Sequence, residues 1–286
     1  MEVDTPVAIP LTGDITTGHL GLSSLFRFEQ ACRQHRDCTI IVNTQGMQWL
    51  DANLCAILGA CFHRLHLENG LCFRLNRAQV AGRFNIFARN GFVSAEGISA
   101  KGAGNSSVEL QTFGQDESDE FIHYIEHKLL GHHGLQQLHP NLVSDLTNAF
   151  TEVFANVNLH ANTTSPVFTC GQYFPQKGKL SFTLADLGDG YLPPIQRQFG
   201  GVTTCSQAIQ WAIQPGHTSR TPEPEYFGVS GGYGLTNLHD YCQRAGGELQ
   251  ITTGDAFWSS KHPSLCRPIE FFRGSIVNIS LPCPKN

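Results

Sequence analysis

Four polar residues in the C-terminal half of this 286-residue chain are spaced four apart: Asn148, Glu152, Asn156 and His160. They lie in or directly after the segment 142–159, whose apolar pattern predicts a helix. Because an α-helix turns about 100° per residue, residues at this spacing lie on nearly one face. Polar groups beside an apolar helix face need partners, and a bound ion with its waters would supply them.

Two of these residues could take part in phosphate chemistry. Asn156 offers a neutral oxygen of the kind that suits Mg²⁺, an ion that usually keeps several waters and has few protein ligands. Glu152, one turn earlier, could accept a proton from a water or hydroxyl group that attacks a terminal phosphate. The alternative interpretation is a solvated helix face.

A second segment combines a strand with an acidic, glycine-rich end. Residues 179–185 alternate well enough to predict a strand, and Asp186, Gly188 and Gly190 follow it. An Asp at the end of a strand can accept a hydrogen bond from an exocyclic amine, and glycines let the backbone approach a flat base. A plain Asp-Gly turn is the alternative.

A third segment is a glycine cluster before a helix. Gly231, Gly232 and Gly234 precede the predicted helix 235–245, which begins at Leu235. Amide N–H groups at the start of a helix can face an anion, and the helix dipole favours negative charge there. The cluster is neither a Walker A loop nor a Rossmann fingerprint, and a structural loop is the alternative.

In their order and spacing, the three segments resemble the N box, G1 box and G2 box of the GHKL superfamily, which includes DNA gyrase, sensor histidine kinases and the anti-sigma-factor serine kinases. The resemblance covers about residues 119–286. The segment 273–282 resembles the closing strand of the family, with Ser275 in place of a threonine, a change that keeps the hydroxyl group.

This resemblance implies an α+β fold, the Bergerat two-layer α/β sandwich, that binds ATP and Mg²⁺. It implies that Glu152 is the base, that Asn156 is the Mg²⁺ ligand and that Asp186 reads adenine. It assigns further nucleotide contacts to Gly188, Gly190, Gly232, Gly234, Leu235 and Ser275.

The resemblance also implies a mobile lid over ATP at residues 191–231. Proline and glycine pairs punctuate this segment, as expected of a loop that is held by a ligand rather than by its own core. Arg220 in the lid is a candidate phosphate contact, although an arginine in a polar loop is usually solvated.

The first hundred residues alternate between strand and helix patterns. The predicted segments are 7–11, 38–43 and 70–75 for strands and 22–32, 53–65 and 80–89 for helices. This order predicts a small mixed α/β layer.

Within residues 5–96, the segments 40–58 and 87–92 resemble a STAS domain, the fold of anti-anti-sigma factors. Regulatory members of that family carry a phosphorylated serine after the aspartate that corresponds to Asp51. Ala52 and Asn53 follow Asp51 here, and alanine has no hydroxyl group to phosphorylate.

Length and composition indicate two domains without a nucleic-acid footprint. We expect a STAS-like domain at 1–100, a linker at 101–118 and the ATP-binding domain at 119–286.

A net charge of −5 predicts no direct nucleic-acid partner. No apolar run approaches the ~20 residues that span a bilayer. The acidic start predicts no secretion signal, and ten scattered cysteines without a Cys-x-x-Cys pair predict reduced thiols in the cytoplasm.

Three functional hypotheses follow. The first is an ATP-dependent hydrolase or protein serine kinase that acts on a separate regulatory partner protein, in the bacterial setting that the resemblance implies. The second is a nucleotide-gated binding module without turnover, in which ATP orders the lid. The third is a structural or dimer-forming protein with relic boxes. The sequence leaves the partner's identity and a homodimer open.

Overall fold

A computed structural model describes residues 6–93, 106–135, 138–215, 217 and 233–283, with the backbone but not the side chains of 158–160. These residues form helices and sheets in both halves of the chain, which confirms the mixed α/β class. Within this described part, no helix combines the length and the apolar character that a membrane crossing requires.

The N-terminal half alternates short strands and helices. In chain order they are β1 (Val7–Pro10), β2 (Gly13–Ile15), α1 (His19–Cys32), β3 (Thr39–Asn43), β4 (Met47–Leu50), α2 (Cys55–Asn69), β5 (Cys72–Leu75), α3 (Arg77–Ala81) and α4 (Ile86–Arg89). Strands β1, β3 and β5 form a parallel sheet in the order β1-β3-β5, and β2 pairs with β4.

The predicted segments of this half correspond to β1, α1, β3, α2 and β5. The predicted single helix over 80–89 is wrong: α3 ends at Gly82, whose dihedral angles (φ −101°, ψ −107°) are not helical, and α4 begins only at Ile86. Strands β2 and β4 were not predicted.

The C-terminal half is built around one five-stranded antiparallel sheet. Its elements are β6 (Ser107–Phe113), α5 (Ser118–Tyr124), α6 (Pro140–His160), β7 (Val167–Phe174), β8 (Lys179–Asp186), α7 (Leu192–Phe199), α8 (Cys205–Ala212), α9 (Gly234–Ala245), β9 (Glu248–Ser259) and β10 (Cys266–Pro282). The strand order is β6-β7-β8-β10-β9.

Helix α6 begins where the sequence favours a helix start. Pro140 occupies its first turn, where no intrahelical N–H donor is needed, and the His139 side chain accepts a hydrogen bond from the backbone of Asn141. The apolar face of α6 buries Phe150 and Phe154 completely against the sheet. This packing fixes the row of polar residues that runs along α6.

The segment predicted as a linker contains a strand of the C-terminal sheet. Strand β6 pairs in antiparallel register with β7 and buries Val108 and Phe113. From residue 106 onward, the predicted linker 101–118 therefore belongs to the C-terminal half. The apolar residues of β6 contact both layers of helices: Val108 and Phe113 belong to the cluster that contains α6, and Leu110 packs against the cluster that contains α1 and α2.

The two halves of the chain share a core. Helices α1 and α2 pack against the face of the five-stranded sheet that is opposite to α6 and α9, and one apolar cluster continues from these helices into the sheet. Phe26 of α1 stacks on Phe272 of β10 with ring centres 5.0 Å apart. The sheet is thus covered by helices on both faces, and the N-terminal half supplies one of these layers.

The described part of the predicted lid has packing of its own. Residues 191–215 contain α7 and α8, and α8 lies against β9. Ile195 and Ile209 are buried, and Thr204 begins α8 in a capping box. This part of the segment is therefore anchored to the core, contrary to the expectation that a ligand alone would hold it. Residues 216 and 218–232, which include Arg220 and Gly232, lie outside the described residues.

Candidate functional site

A cleft opens between α6, the end of β8, helices α7 and α8, and the start of α9. Its cavity volume is about 80 Å³, which is smaller than the ~300–1,000 Å³ typical of small-molecule sites. Six of the residues predicted from the sequence line it: Asn156, Asp186, Gly190, Gly234, Leu235 and Ser275. Segments more than 100 positions apart in the chain thus converge on one cavity.

Asp186 is the most firmly held of these residues. It ends β8 directly opposite Ser275 of β10 and is buried. One carboxylate oxygen accepts the N–H of Gly188 at 2.8 Å, and the other accepts the N–H of Ser275 at 3.1 Å together with the Ser275 hydroxyl. Burial raises the pKa of Asp186, while these hydrogen bonds act in the opposite direction. The carboxyl group is therefore fixed in orientation where the cleft reaches the sheet.

The glycines after Asp186 permit close packing of the chain itself. A Cβ atom at Gly188 would overlap Ala161, the residue that follows α6. Gly190 has a φ of +74°, and a Cβ there would overlap the Thr253 hydroxyl. In this structure the two glycines bring the loop against α6 and β9, and only Gly190 also lines the cleft.

Glu152 joins α6 to the start of α9. The residue is only 8% exposed, and its Oε1 accepts the backbone N–H of Tyr233 at 2.8 Å. At Gly234 a Cβ would lie 2.9 Å from the Glu152 Cβ, so the glycine is needed for this close approach of the helices. Glu152 does not line the cleft. In the observed state its carboxylate caps a helix rather than facing the cleft.

Asn156 lies one turn beyond Glu152 and does face the cleft. Its side chain is half-buried and makes no hydrogen bond within the described part of the chain. Among the same described residues, no group of three or more His, Cys, Asp or Glu side chains could hold a metal ion. A Mg²⁺ ion needs no such group where phosphate oxygens and waters complete its coordination. The amide oxygen of Asn156 therefore fits the predicted role as a single protein ligand.

Aromatic residues that were not predicted form a second wall of the cleft. Tyr191 and Trp211 line it, and the Trp211 ring lies 4.8 Å from Phe199 and 4.7 Å from His217, centre to centre. Burial and the nearby Asp186 charge raise the pKa of the Tyr191 hydroxyl. In the sequence, the only signal for these two residues was their aromatic character in a segment otherwise rich in proline, glycine and polar residues. They give the cleft apolar rings of the kind on which a flat base can stack.

The remaining predicted residues are not part of the described site. Gly232 and Arg220 lie outside the described residues, as does the side chain of His160. Asn148 is exposed on α6 and does not line the cleft.

The corner that contains Asp51 and Ala52 lies on the opposite face of the sheet. Ala52 is fully buried, its N–H donates to Gln172 of β7 at 2.6 Å, and its carbonyl accepts the Cys170 thiol at 3.1 Å. Asp51 is buried beside it and accepts hydrogen bonds from the Thr17 N–H and the Trp49 indole, each at 2.7 Å. This corner is a contact between the two halves of the chain.

No model of a known protein family matches this chain, and a search among curated proteins finds no match. The functional inference therefore rests on the cleft and the residues that line it.

Proposed function

We propose that this chain is a Mg-ATP-binding regulatory protein, with a C-terminal nucleotide-binding domain of the GHKL type and a STAS-like N-terminal half. One observation carries the proposal: six residues chosen from the sequence for nucleotide contacts line a single cleft. Chance convergence is a poor explanation, because these residues come from α6, β8 and its following loop, α9 and β10.

The cleft offers a distinct surface for each part of the nucleotide. The Asp186 carboxylate, held by Ser275, accepts a hydrogen bond from the exocyclic amine of adenine. The start of α9, at Gly234 and Leu235, favours the negative charge of the phosphates. Asn156 of α6 lines the cleft and would hold Mg²⁺, which when bound would neutralise phosphate charge.

Glu152 decides between turnover and gating. As a base it would accept a proton from water or from a partner's hydroxyl group, which is the role that slow hydrolysis or phosphoryl transfer requires. Its observed hydrogen bond to Tyr233 N–H withholds one oxygen from that role. This contact favours the second candidate function, a nucleotide-gated protein-binding module without turnover. Turnover requires that nucleotide binding release Glu152 from the start of α9.

We propose that the N-terminal half contacts a regulatory protein, in the cytoplasm and without direct nucleic-acid binding. It does not serve as the phosphoacceptor at the position of Ala52, because that residue has no hydroxyl group and is buried against β7. Any phosphoryl group therefore goes to water or to a separate chain.

Calorimetric titration with Mg-ATP tests the proposal. Wild-type protein is expected to bind with a stoichiometry of one, and Asn156→Ala is expected to abolish Mg-dependent binding because Mg²⁺ loses its protein ligand. Asn148→Ala is the matched control: it removes the same amide from an exposed position two turns earlier on α6. The assignment of Asn156 is refuted if Asn156→Ala and Asn148→Ala bind Mg-ATP alike. The proposed function itself is refuted if the wild type binds no nucleotide.

A further inference from the structure

Strand β10 is irregular just before it reaches Asp186. Its register with β9 shifts between Phe272 and Ser275, so the strand contains a bulge there. Within the bulge Gly274 has a φ of +129°, and a Cβ at this position would overlap the Asp186 carbonyl oxygen. Bulges redirect side chains and are common beside functional sites. This one directs the Ser275 N–H and hydroxyl groups to the Asp186 carboxylate.

An arginine from the N-terminal half holds this bulge from the other face of the sheet. Arg64 of α2 is only 4% exposed and donates a hydrogen bond to the backbone carbonyl of Arg273. Its guanidinium group lies 4.5 Å from the centre of the Phe272 ring. It also forms a buried ion pair with Glu29 of α1 at 2.9 Å. One side chain thus ties both N-terminal helices to the segment that presents Ser275.

We propose that Arg64 is a positioning residue for adenine recognition, so that the N-terminal half forms part of the nucleotide site. Arg64 fixes the Arg273 carbonyl, the bulge then fixes Ser275, and Ser275 fixes the Asp186 carboxylate that reads the exocyclic amine. The inference rests on the proposed ATP binding. It adds Arg64, on the face of the sheet away from the cleft, as a determinant of base selectivity. The Arg64 charge also reaches Asp186, whose pKa burial raises and Arg64 lowers.

The chemistry of this contact requires arginine. A guanidinium group presents several N–H donors in a rigid fork, so that it can pair with Glu29, donate to Arg273 and lie over Phe272 at the same time. A lysine would keep the charge beside Glu29, but its single ammonium group cannot reproduce these three contacts. Arg64→Lys therefore preserves the buried charge pair while it releases the bulge.

A measurement of base selectivity distinguishes a positioning role of Arg64 in adenine recognition from simple structural support. The test compares the Kd of Mg-ATP with that of the triphosphate of purine riboside, which lacks the exocyclic amine. Wild-type protein is expected to prefer ATP about tenfold, the factor that one hydrogen bond to a charged group contributes. In Arg64→Lys the preference is expected to fall at least threefold, while the Kd of the analogue changes less than twofold. Arg33→Lys is the control, because Arg33 also pairs with Glu29 at 2.9 Å and does not contact the bulge.

Each outcome is decisive. If Arg64→Lys keeps the wild-type preference, or weakens both nucleotides by the same factor, the inference is overturned while ATP binding stands. If the wild type binds neither nucleotide, the proposed function fails and the inference falls with it. If Arg64→Lys does not fold, the double variant Glu29→Gln/Arg64→Met, which removes both buried charges, is subjected to the same comparison with the same expected loss of preference.

Discussion

The hydrogen bond from the Ser275 hydroxyl to Asp186 is the most direct target for a stability measurement. Ser275→Ala removes a donor to a buried carboxylate and leaves only the Ser275 and Gly188 N–H groups in place. Hydrogen bonds to charged groups contribute roughly 1.5–3 kcal/mol. We therefore expect a loss of about 2 kcal/mol in the free energy of unfolding, which corresponds to about 3 °C in Tm for a chain of this size.

Two matched variants isolate this effect. Ser280→Ala removes a hydroxyl from the same strand, β10, where it pairs with the neutral Ser181 hydroxyl at 3.1 Å away from the cleft. A bond between neutral groups contributes about 1 kcal/mol, so Ser280→Ala is expected to cost about half as much. Ser275→Thr keeps the donor at the edge of the cleft and is expected to retain most of the stability.

The pH dependence of the stability difference between Ser275→Ala and the wild type tests whether the Ser275 hydroxyl stabilises the charged form of Asp186. Burial raises the pKa of Asp186, and loss of the Ser275 donor raises it further in Ser275→Ala. At high pH the carboxylate is charged in both proteins, and the difference in stability is largest. As pH falls, the variant takes up a proton in its folded state before the wild type does, so its stability rises relative to the wild type and the gap narrows. Urea denaturation across this pH range measures the gap. A gap that stays constant with pH, or an equal loss in Ser280→Ala, would refute the reasoning.

Two further predictions concern the close contacts around α6. Glu152→Gln keeps an oxygen that can accept the Tyr233 N–H. We expect this variant to bind Mg-ATP with a Kd within twofold of the wild type and to release no phosphate. Undiminished phosphate release in a coupled assay would exclude Glu152 as the base. Gly188→Ala is expected to cost about 1–3 kcal/mol in urea denaturation, because its methyl group overlaps Ala161. The control Gly201→Ala, with no atom within 3.4 Å of its added methyl group, is expected to change stability by less than about 0.5 kcal/mol. Equal losses in the two glycine variants would contradict the packing role of Gly188.

Elements with a strong local signal could be predicted from the sequence. Helix α6 combines a long apolar period with a proline in its first turn, and strand β8 alternates up to Asp186. Helix α9 is bounded by glycines at both ends, Gly234 and Gly246. Each of these signals lies within one segment, so no knowledge of distant contacts was needed. The predicted site residues on these elements meet in one cleft because β8 pairs with β10 and α6 packs against α9.

The lid segment shows where local signals mislead. Its prolines and glycines predicted a loop, yet α7 has Pro193 in its first turn and ends directly before Gly200. Helix α8 begins after Thr204, whose side chain caps it. What anchors the segment is the burial of Ile209 in the apolar cluster of the five-stranded sheet. Isolated apolar residues in a polar segment carry no such information until their partners are known.

The packing of the two halves was likewise beyond the sequence. A boundary near residue 100 implies separate cores, whereas one apolar cluster includes residues of α1, α2 and the five-stranded sheet. Arg64 illustrates the reason. An arginine on a predicted helix reads as a solvated residue, and only the fold shows Glu29, Phe272 and the Arg273 carbonyl around it.

The contact between Glu152 and Tyr233 links α6 to the start of α9 beside the cleft. A phosphate at the start of α9 would compete for the Tyr233 N–H that Glu152 now accepts, since both are negatively charged acceptors for the same donor. Nucleotide binding and release of Glu152 are then one event. This event changes the contact between α6 and α9 even if the freed carboxylate never takes up a proton. Turnover and gating thus share their first step, and they differ only in whether a hydroxyl group reaches Glu152 before the nucleotide leaves.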